Sequence, residues 1–449
     1  MRPRVSSHRQ IRRRPLLPFF ASVLVACSSS GQSADPPPAD PTPPVASCPG
    51  DLPSELSVSE GGLATLPPRA GITYEGLGGV VVSTRGDATT VRAPFRAAAS
   101  EPSLRASCGK TIAVTLRPLA WKKLATWTEE TGAKAREYGA WWVDPSGSGS
   151  LFVFGGYHYV PKQFTPANDA WRFDFATSTW TSLGNEGLPT LPGGRAAPIP
   201  GSRAVLYFGG SVPTADGRVD AKPSLYRIDY DDAGMRAAVR PSTSAPGSYT
   251  GAFVHDAKRS RWLSICGLDN RRGMHCDVTA YTEAGGFAEV TTQGEAPSGR
   301  FGFHYAFDEE QERVVIFGGQ NGPANLDLDG ETWALELATE PPRWKRLFAN
   351  GEGPTKRRNG AFAFDPKGHR FFVWGGTPDG RTSVKGIQVL TLDRDAEVWT
   401  SIDTPDVPAR TSGLAAYDPT HDQLVMGFGN NPAPIRDLWS LDLANVNPR

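Results

Sequence analysis

Five arginines recur along the chain in a setting that could bind carboxylates. They are Arg136, Arg195, Arg300, Arg357 and Arg410. A guanidinium group can hold a carboxylate through two parallel N–H donors, which makes arginine well suited to acidic ligands. Four of the five are followed eight residues later by an aspartate, namely Asp144, Asp308, Asp365 and Asp418. This shared spacing indicates that the arginines occupy one position of a repeat. The alternative to ligand binding is that each arginine binds backbone carbonyls or the aspartate of its own repeat.

A second candidate is a calcium loop at Asn325, Asp327 and Asp329, where alternate side-chain oxygens precede Gly330. Calcium favours such oxygen ligands around a glycine turn, and Glu336 stands at the twelfth position. However, Glu336 also occupies the ordinary acidic position of the repeat, and no helices are predicted to flank the loop. We therefore predict no metal and no cofactor, with calcium at this loop as the alternative.

Catalytic constellations are not evident. The histidines outside the first residues are scattered over different repeat positions: His158, His255, His275, His304, His369 and His421. The sequence has no nucleophile elbow, phosphate-binding loop or metalloprotease helix motif. We predict no catalytic residue. A metal site at Cys266, His275 and Cys276 is an alternative that lacks a fourth ligand in the sequence.

The elements that must position these residues are six copies of a short apolar strand that ends at glycine. Four copies end in a glycine pair, and weaker copies end at Gly267 and Gly429. The last glycines of the copies are 156, 210, 267, 319, 376 and 429, so the intervals are 54, 57, 52, 57 and 53 residues. Near-constant intervals of this length are typical of repeat architectures.

Four copies continue with an aromatic strand that ends in an acid, as in Trp333 to Glu336, the fifth has Leu390 to Asp393 instead, and a closing tryptophan strand often follows, as at Trp344. Four strands in about 50 residues indicate one blade of a β-propeller. The sixth copy lacks its closing strand, whereas Trp121–Leu124 precedes the first copy and looks like such a strand. We predict that it completes the sixth blade and closes the ring, which leaves no free strand edge.

The glycine pair, the aromatic strand before an acid and the closing tryptophan together resemble the Kelch repeat family from about Trp121 to the C-terminus. The resemblance implies an all-β fold, with a six-bladed Kelch-type propeller over residues 119–449. In Kelch propellers that recognise acidic peptides, arginines at such positions line the binding face. The long loops after the glycine pairs should open on the same face, where Tyr157, Tyr159 and Phe164 are predicted anchors.

The N-terminus has the features of an export signal over residues 1–26, with Arg12–Arg14 before a short apolar run. Leu24 to Cys27 resembles a bacterial lipoprotein signal, which implies that Cys27 carries a lipid anchor. An ordinary secretory signal is the alternative. Residues 27–47 are rich in serine and proline and predict an extended tether. Ser28 after the cysteine favours the outer membrane of a bacterial cell envelope.

Residues 48–118 contain short alternating stretches separated by glycine and proline, which predict a small β module that resembles immunoglobulin-like bacterial repeats. The alternative is an irregular extension packed on the propeller. With Cys27 lipidated, four cysteines remain, and we predict the pairs Cys48–Cys108 and Cys266–Cys276. Both pairs suit an oxidising, exported environment.

Charge narrows the class of partner. Lys plus Arg and Asp plus Glu both number 47, but the first 26 residues hold six arginines and no acid. Without them, 41 basic residues stand against 47 acidic ones, a net charge of −6, which argues against a nucleic-acid partner. We predict a binding module for a protein segment or a glycan at the cell envelope. The alternative is a sugar-acting enzyme, of isomerase or lyase type, whose channel arginines hold a substrate carboxylate.

Overall fold

The computed structural model describes residues 47–85, 87–95, 101–160, 163–214, 219–240, 245, 247–351, 353–394, 396–404 and 406–443. The chain divides into two compact units, Met1–Val45 and Ala46–Arg449, and all described residues belong to the second. Among them the only helical element is a 3-10 turn at Ala257–Arg259, and no helix is long and apolar enough to cross a membrane. The predicted all-β fold class is confirmed.

Residues 47–118 form two small sheets around a shared core. The seven strands are β1 (Glu55–Ser59), β2 (Leu63–Leu66), β3 (Tyr74–Leu77), β4 (Val81–Arg85), β5 (Ala88–Arg92), β6 (Ser103–Ala106) and β7 (Thr111–Arg117). One sheet has the order β1-β7-β6-β3 and the other β2-β5-β4. Alternate residues of β7 are buried, so Ile112 and Val114 join Val58, Val91 and Leu104 in the core. Cys48 and Cys108 form a disulfide that closes this module.

Six four-stranded antiparallel sheets, here called blades 1 to 6, follow. The strands up to blade 2 are β8 (Ala120–Thr126), β9 (Arg136–Glu137), β10 (Ala140–Val143), β11 (Ser150–Phe154), β12 (Tyr157–Val160), β13 (Gln163–Pro166), β14 (Ala170–Asp174), β15 (Thr179–Gly184), β16 (Gly194–Pro198), β17 (Ala204–Gly209), β18 (Ser211–Pro213), β19 (Val219–Ala221), β20 (Leu225–Tyr230) and β21 (Met235–Arg240). Blade 1 has the order β10-β11-β14-β15 and blade 2 the order β16-β17-β20-β21. Two additional small sheets, β13-β12-β9 and β18-β19, extend from these blades.

The remaining blades are more regular. Their strands are β22 (Ala252–Asp256), β23 (Arg261–Asp269), β24 (Gly273–Thr282), β25 (Gly286–Glu289), β26 (His304–Asp308), β27 (Arg313–Phe317), β28 (Thr332–Glu336), β29 (Arg343–Leu347), β30 (Ala361–Asp365), β31 (Arg370–Trp374), β32 (Ile387–Thr391), β33 (Val398–Ile402), β34 (Leu414–Asp418), β35 (Gln423–Gly427) and β36 (Asp437–Asp442). Blades 3, 4 and 5 take four consecutive strands each. Blade 6 has the order β34-β35-β36-β8, so the N-terminal strand that contains Trp121 is its outer strand.

Six apolar clusters join each blade to the next, including blade 6 to blade 1. The second strand of each blade supplies both of its neighbours, because it is buried on both faces. In β27, Val314 and Ile316 pack towards blade 3, whereas Val315 and Phe317 pack towards blade 5. This double burial explains why these strands are continuous apolar runs rather than alternating ones.

The aspartates that follow the arginines by eight residues lie at the far end of the first strand of a blade. There they accept hydrogen bonds from backbone N–H groups of the hairpin turn, as Asp365 does from Gly368 at 3.0 Å and Asp418 from Thr420 at 2.9 Å. The arginine and the aspartate therefore mark the two ends of one strand. They do not form a pair with each other.

The N-terminal module is fixed to blade 5 by two buried arginines. Arg92 of the module pairs with Asp393 and donates to the carbonyl oxygen of Gly368 at 2.7 Å. In the opposite direction, Arg370 of blade 5 donates to the carbonyl oxygen of Glu60. Buried groups of this kind bind at fixed geometry, so the module and the propeller are one packed body.

Candidate functional site

Four of the five predicted arginines are inside the blades. Arg136, Arg300, Arg357 and Arg410, here called the repeat arginines, are no more than 2% exposed. In each, one terminal nitrogen donates to the carbonyl oxygen at the first position of the glycine pair of its own blade: Gly155 at 3.0 Å, Gly318 at 3.2 Å, Gly375 at 3.2 Å and Phe428 at 2.9 Å. The structure thus places these side chains away from a ligand-accessible face, in contrast to the prediction, because each one fixes the end of its second strand.

Three repeat arginines also pair with a carboxylate that precedes or begins the third strand. The pairs are Arg136–Asp169 at 2.9 Å, Arg300–Asp329 at 2.9 Å and Arg410–Asp437 at 2.7 Å. Arg357 has no such partner among the described residues, and its Nε and a terminal nitrogen bind Thr355 instead. Burial therefore lowers the pKa of Arg357 to about 10, which still leaves it charged at neutral pH.

The position that the repeat arginines occupy is here called the repeat position of a blade. Two residues after it, the chain takes the left-handed conformation, and these residues of the six blades form a ring around the channel. This inner ring consists of Tyr138, Gly193, Thr250, Gly302, Asn359 and Ser412, with φ between 51° and 81°. Each of the last five donates its backbone N–H to the carbonyl oxygen of the preceding member, at 2.6 to 3.2 Å. These five backbone hydrogen bonds link the blades in chain order from blade 1 to blade 6.

Arg195 does not occupy the repeat position. Counted back from Gly193 of the inner ring, the repeat position of blade 2 is Leu191, and Arg195 lies four residues further along, in β16. Its side chain is half-buried, donates from Nε to the carbonyl oxygen of Gly251 at 3.2 Å and lies 5.9 Å from the ring centre of Phe362. Of the five predicted arginines, Arg195 is the one that lines the channel.

The channel contains a cavity of about 680 Å³, counting its open end. Its wall combines backbone at five glycines with the side chains of Tyr138, Arg195, Tyr305, Asn359 and Phe362, and with Trp141, Phe303 and Ser412. Arg195 is the only charged residue among the described residues of this wall. The cavity is thus an aromatic chamber with a single cation.

A run of rings that shares Tyr138 with the cavity wall ends at an arginine. This channel mouth is formed by Tyr157, Tyr138, Tyr249, Phe301 and Arg358. Successive ring centres are 6.2, 5.9 and 6.3 Å apart, and the Arg358 guanidinium lies 6.0 Å from the Phe301 ring. The residues come from blades 1, 3, 4 and 5, so only the closed ring brings them together.

A polar contact spans this mouth. The amide nitrogen of Asn359 donates to the hydroxyl oxygen of Tyr138 at 2.7 Å, although the two residues are 221 positions apart. Burial and the neighbouring carboxylate of Glu137 raise the pKa of Tyr138 to about 12, so its hydroxyl stays protonated. Glu137 itself is buried and binds the amide of Asn430, and burial raises its pKa.

The predicted loop anchors have mixed outcomes. Tyr157 is mostly buried and belongs to the channel mouth. Tyr159 and Phe164 pair across the β12–β13 hairpin, and their side chains are outside the described part of the structure. The loop of blade 4 reaches the mouth through Asn325, whose Oδ1 accepts from Arg358 at 3.1 Å, and beside it Leu326 is 63% exposed.

The oxygens of the candidate calcium loop are already bound by protein donors. Asp327 accepts the N–H of Ala324 at 2.8 Å, Asp329 pairs with Arg300, and Asn325 binds Arg358. Across the described residues, no group of three or more His, Cys, Asp or Glu side chains is arranged to hold a metal. The geometry thus gives this loop a structural role and orients it towards the mouth.

Cys266 and Cys276 form a disulfide between β23 and β24. Cys266 has φ of 52° and stands where other blades have the first glycine of the pair, so the cross-link lies close to the channel. The predicted lipidation site, Cys27, is outside the described residues.

The sequence did not lead to a prediction of the mouth residues other than Tyr157, although their spacing from the repeat position marks them. They stand one or two residues after each repeat position, where the repeat is least regular. The misplacement of Arg195 was also detectable: the second glycine follows the repeat position by 19 or 20 residues in the other blades, but follows Arg195 by 15.

The architecture is that of a β-propeller, and comparisons with known proteins specify its type. Residues 267–447 match the KLHDC2/KLHL20/DRC7 Kelch-repeats domain. Among solved structures, the chain is similar to one described as "Structure of YjhT", with a TM-score of 0.52 and 12% identity over 69% of this chain and 95% of that chain. At that identity the likeness is one of fold. The predicted resemblance is confirmed: the fold is a β-propeller, and the matched residues form a Kelch-repeats domain, a kind of domain that generally mediates protein binding.

Proposed function

We propose that this protein is a binding module of the cell envelope, held by a lipid on Cys27, and that its channel mouth recognises a segment of another protein. The observation that carries the proposal is the partly exposed end of the run of rings, where Arg358 lies against Phe301, while Tyr157 and Tyr249 are buried behind it. Aromatic and arginine side chains are the residues that dominate binding energy at interfaces, because they bury a large area at fixed geometry.

The mouth is preorganised for binding. Arg358 is held by Gln320 on one terminal nitrogen and by Asn325 on the other, with its face against Phe301. A ligand therefore meets a guanidinium whose orientation needs no further ordering, which reduces the entropic cost of association. Rigid blades that present variable loops are a common basis of recognition.

A protein segment is favoured over a glycan by the exposed apolar side chain of Leu326, which lies next to Asn325 and hence beside Arg358. An aliphatic side chain that is 63% exposed at the rim of an aromatic surface offers little to a hydroxyl-rich sugar. It adds apolar area for a peptide side chain.

The alternative, a sugar-acting enzyme, requires a positioned acid or base at the cavity. The described side chains of the cavity wall include neither a carboxylate nor a histidine. His304 lies behind Gly360, and burial lowers its pKa to about 3 while its Nε2 accepts the N–H of Gly360 at 2.9 Å. It is a satisfied core histidine, so the available geometry supports binding.

The test compares two arginines that each stack on a phenylalanine. A partner captured from envelope extract is identified, and its dissociation constant is measured for the unchanged protein, for Arg358→Gln and for the control Arg346→Gln. Arg346 lies 5.1 Å from Phe348 on an outer strand, away from the mouth. We expect a loss of about tenfold or more for Arg358→Gln and none for the control. Equal affinities, or loss in the control alone, would refute the mouth as the binding surface.

A further inference from the structure

Arg195 is an uncompensated cation inside the propeller. Its guanidinium forms no ion pair among the described residues, and the hydrogen bond from Nε to Gly251 uses one of its five N–H donors. Glu137, which precedes Tyr138 in the chain, is buried and binds Asn430. A half-buried guanidinium beside aromatic rings, with N–H donors to spare, is well placed to receive an opposite charge.

Arg195 also does not play the part of the repeat arginines. The repeat arginines hold the carbonyl oxygens at the glycine pairs, whereas Arg195 starts four residues later and points at the cavity shared by five blades. Its charge acts across the whole chamber, since it opposes the effect of burial on the pKa of Tyr305 and Tyr249.

The surroundings of Arg195 define the rest of the ligand. Phe362 lies under the guanidinium, and Phe303, Tyr305 and Trp141 complete an apolar wall. Tyr138 and Asn359 supply a hydroxyl and an amide at the mouth end. A ligand that satisfies these groups has one carboxylate, a flat or ring-shaped body, and a polar group directed to the mouth.

We propose that the channel cavity binds a ring-bearing monocarboxylate, with the carboxylate on Arg195 and the ring against Phe362. This site lies beneath the mouth and does not depend on the protein partner proposed above. Aryl acids and sugar acids share this chemistry, and the experiment separates them.

Benzoate and glucuronate serve as probes, each with its neutral counterpart, benzamide and glucose. Binding is measured by calorimetry to the unchanged protein, Arg195→Gln, Arg195→Lys and the control Arg236→Gln. Arg236 is an exposed arginine of the same blade. We expect one acid to bind in preference to its neutral counterpart. Arg195→Gln should weaken the binding of that acid about tenfold or more, and Arg195→Lys should weaken its binding less.

A second measurement keeps the test independent of the variants. In the unchanged protein, the acid that binds should shift the backbone amide NMR signals of the glycines in the cavity wall, which are Gly139, Gly194, Gly302, Gly360 and Gly413. The proposal is overturned if neither acid binds better than its neutral counterpart, if Arg195→Gln binds the acid unchanged, or if the shifted signals lie elsewhere. Capture of the protein partner is scored separately with Arg358→Gln, so one proposal can fail while the other stands.

Discussion

The role assigned to the repeat arginines leads to a comparison between Arg410 and Arg357. Both are buried and both donate to a carbonyl oxygen of the glycine pair, but only Arg410 has a carboxylate partner, Asp437, at 2.7 Å. Replacing Arg410 by Met leaves Asp437 as a buried, unpaired charge. Removing one partner of a buried pair costs about 3–5 kcal/mol of unfolding free energy.

Replacing Arg357 by Met leaves no carboxylate unpaired. It removes the hydrogen bonds to Gly375 and Thr355, which are worth roughly 1–3 kcal/mol, and it also relieves the desolvation that lowers the pKa of Arg357. We therefore expect Arg410→Met to destabilise the protein by about 2 kcal/mol more than Arg357→Met does. Urea unfolding followed by both fluorescence and circular dichroism measures the difference.

A second substitution tests the cause. If the unpaired carboxylate accounts for the larger loss, Asp437→Asn should recover part of the stability in the Arg410→Met protein but should destabilise the unchanged protein. The reasoning is refuted if Arg410→Met and Arg357→Met lose the same stability. It is also refuted if Asp437→Asn is as harmful without Arg410 as with it, since the two groups would then be uncoupled.

Three further outcomes follow from the same geometry. Burial raises the pKa of Glu137 above 4.5 in the folded state, so the stability that this group contributes is complete below pH 4.5 and is lost as pH rises through the folded pKa. The stability of Glu137→Gln relative to the unchanged protein should therefore increase with pH. A difference in urea midpoints that does not depend on pH would contradict this. Gly210→Ala should lower the free energy of unfolding by about 1–3 kcal/mol more than Gly184→Ala does. Both glycines have positive φ, but only a Cβ at position 210 would meet a backbone oxygen, at 2.4 Å. Similar decreases in melting temperature for the two variants would count against this close approach. Asn359→Gly should stabilise the fold by up to about 1 kcal/mol, because it replaces a non-glycine residue in the left-handed conformation. It should also weaken binding at the mouth, because it removes the contact to Tyr138. Unchanged partner affinity would show that this contact does not support binding.

Much of the fold was readable from the sequence because repeat geometry is encoded locally. The glycine pairs follow apolar strands, and a side chain at these positions would collide with neighbouring backbone. At Gly376, for example, a Cβ would lie 2.8 Å from the carbonyl oxygen of Arg358. The second glycine also donates its N–H to the repeat position of the next blade, as Gly319 does to Arg357 at 2.9 Å. A pattern with so local a cause recurs in every copy and can be recognised without the structure.

The site was harder to predict because its causes are not local. Residue type suggested that Arg195 belongs with the repeat arginines, yet its distance from the glycine pair sets it apart, and its environment depends on Phe362 in another blade. Likewise, Tyr138 meets Asn359 only because the ring is closed. The ion pairs of three repeat arginines depend on acids at the start of the third strand, such as Asp437, and the sequence gives no sign that these acids meet the arginines.

The inner ring links these two levels. Its left-handed backbone conformation favours glycine. Two of its members are glycines, Gly193 and Gly302, whereas the other four are Tyr138, Thr250, Asn359 and Ser412. A left-handed non-glycine residue costs about 1 kcal/mol or more, so each of these side chains needs a compensating role. Thr250 has one within the framework, because its hydroxyl accepts the N–H of Gly302 at 3.1 Å. Tyr138 and Asn359 contact each other across the mouth, Tyr138 also has a side-chain hydrogen bond with Ser412 of the inner ring, and all three residues line the cavity of Arg195. Strain that blade packing does not explain is thus located where the mouth surface and the carboxylate cavity meet, and this coincidence favours recognition as the reason why these two residues are not glycine.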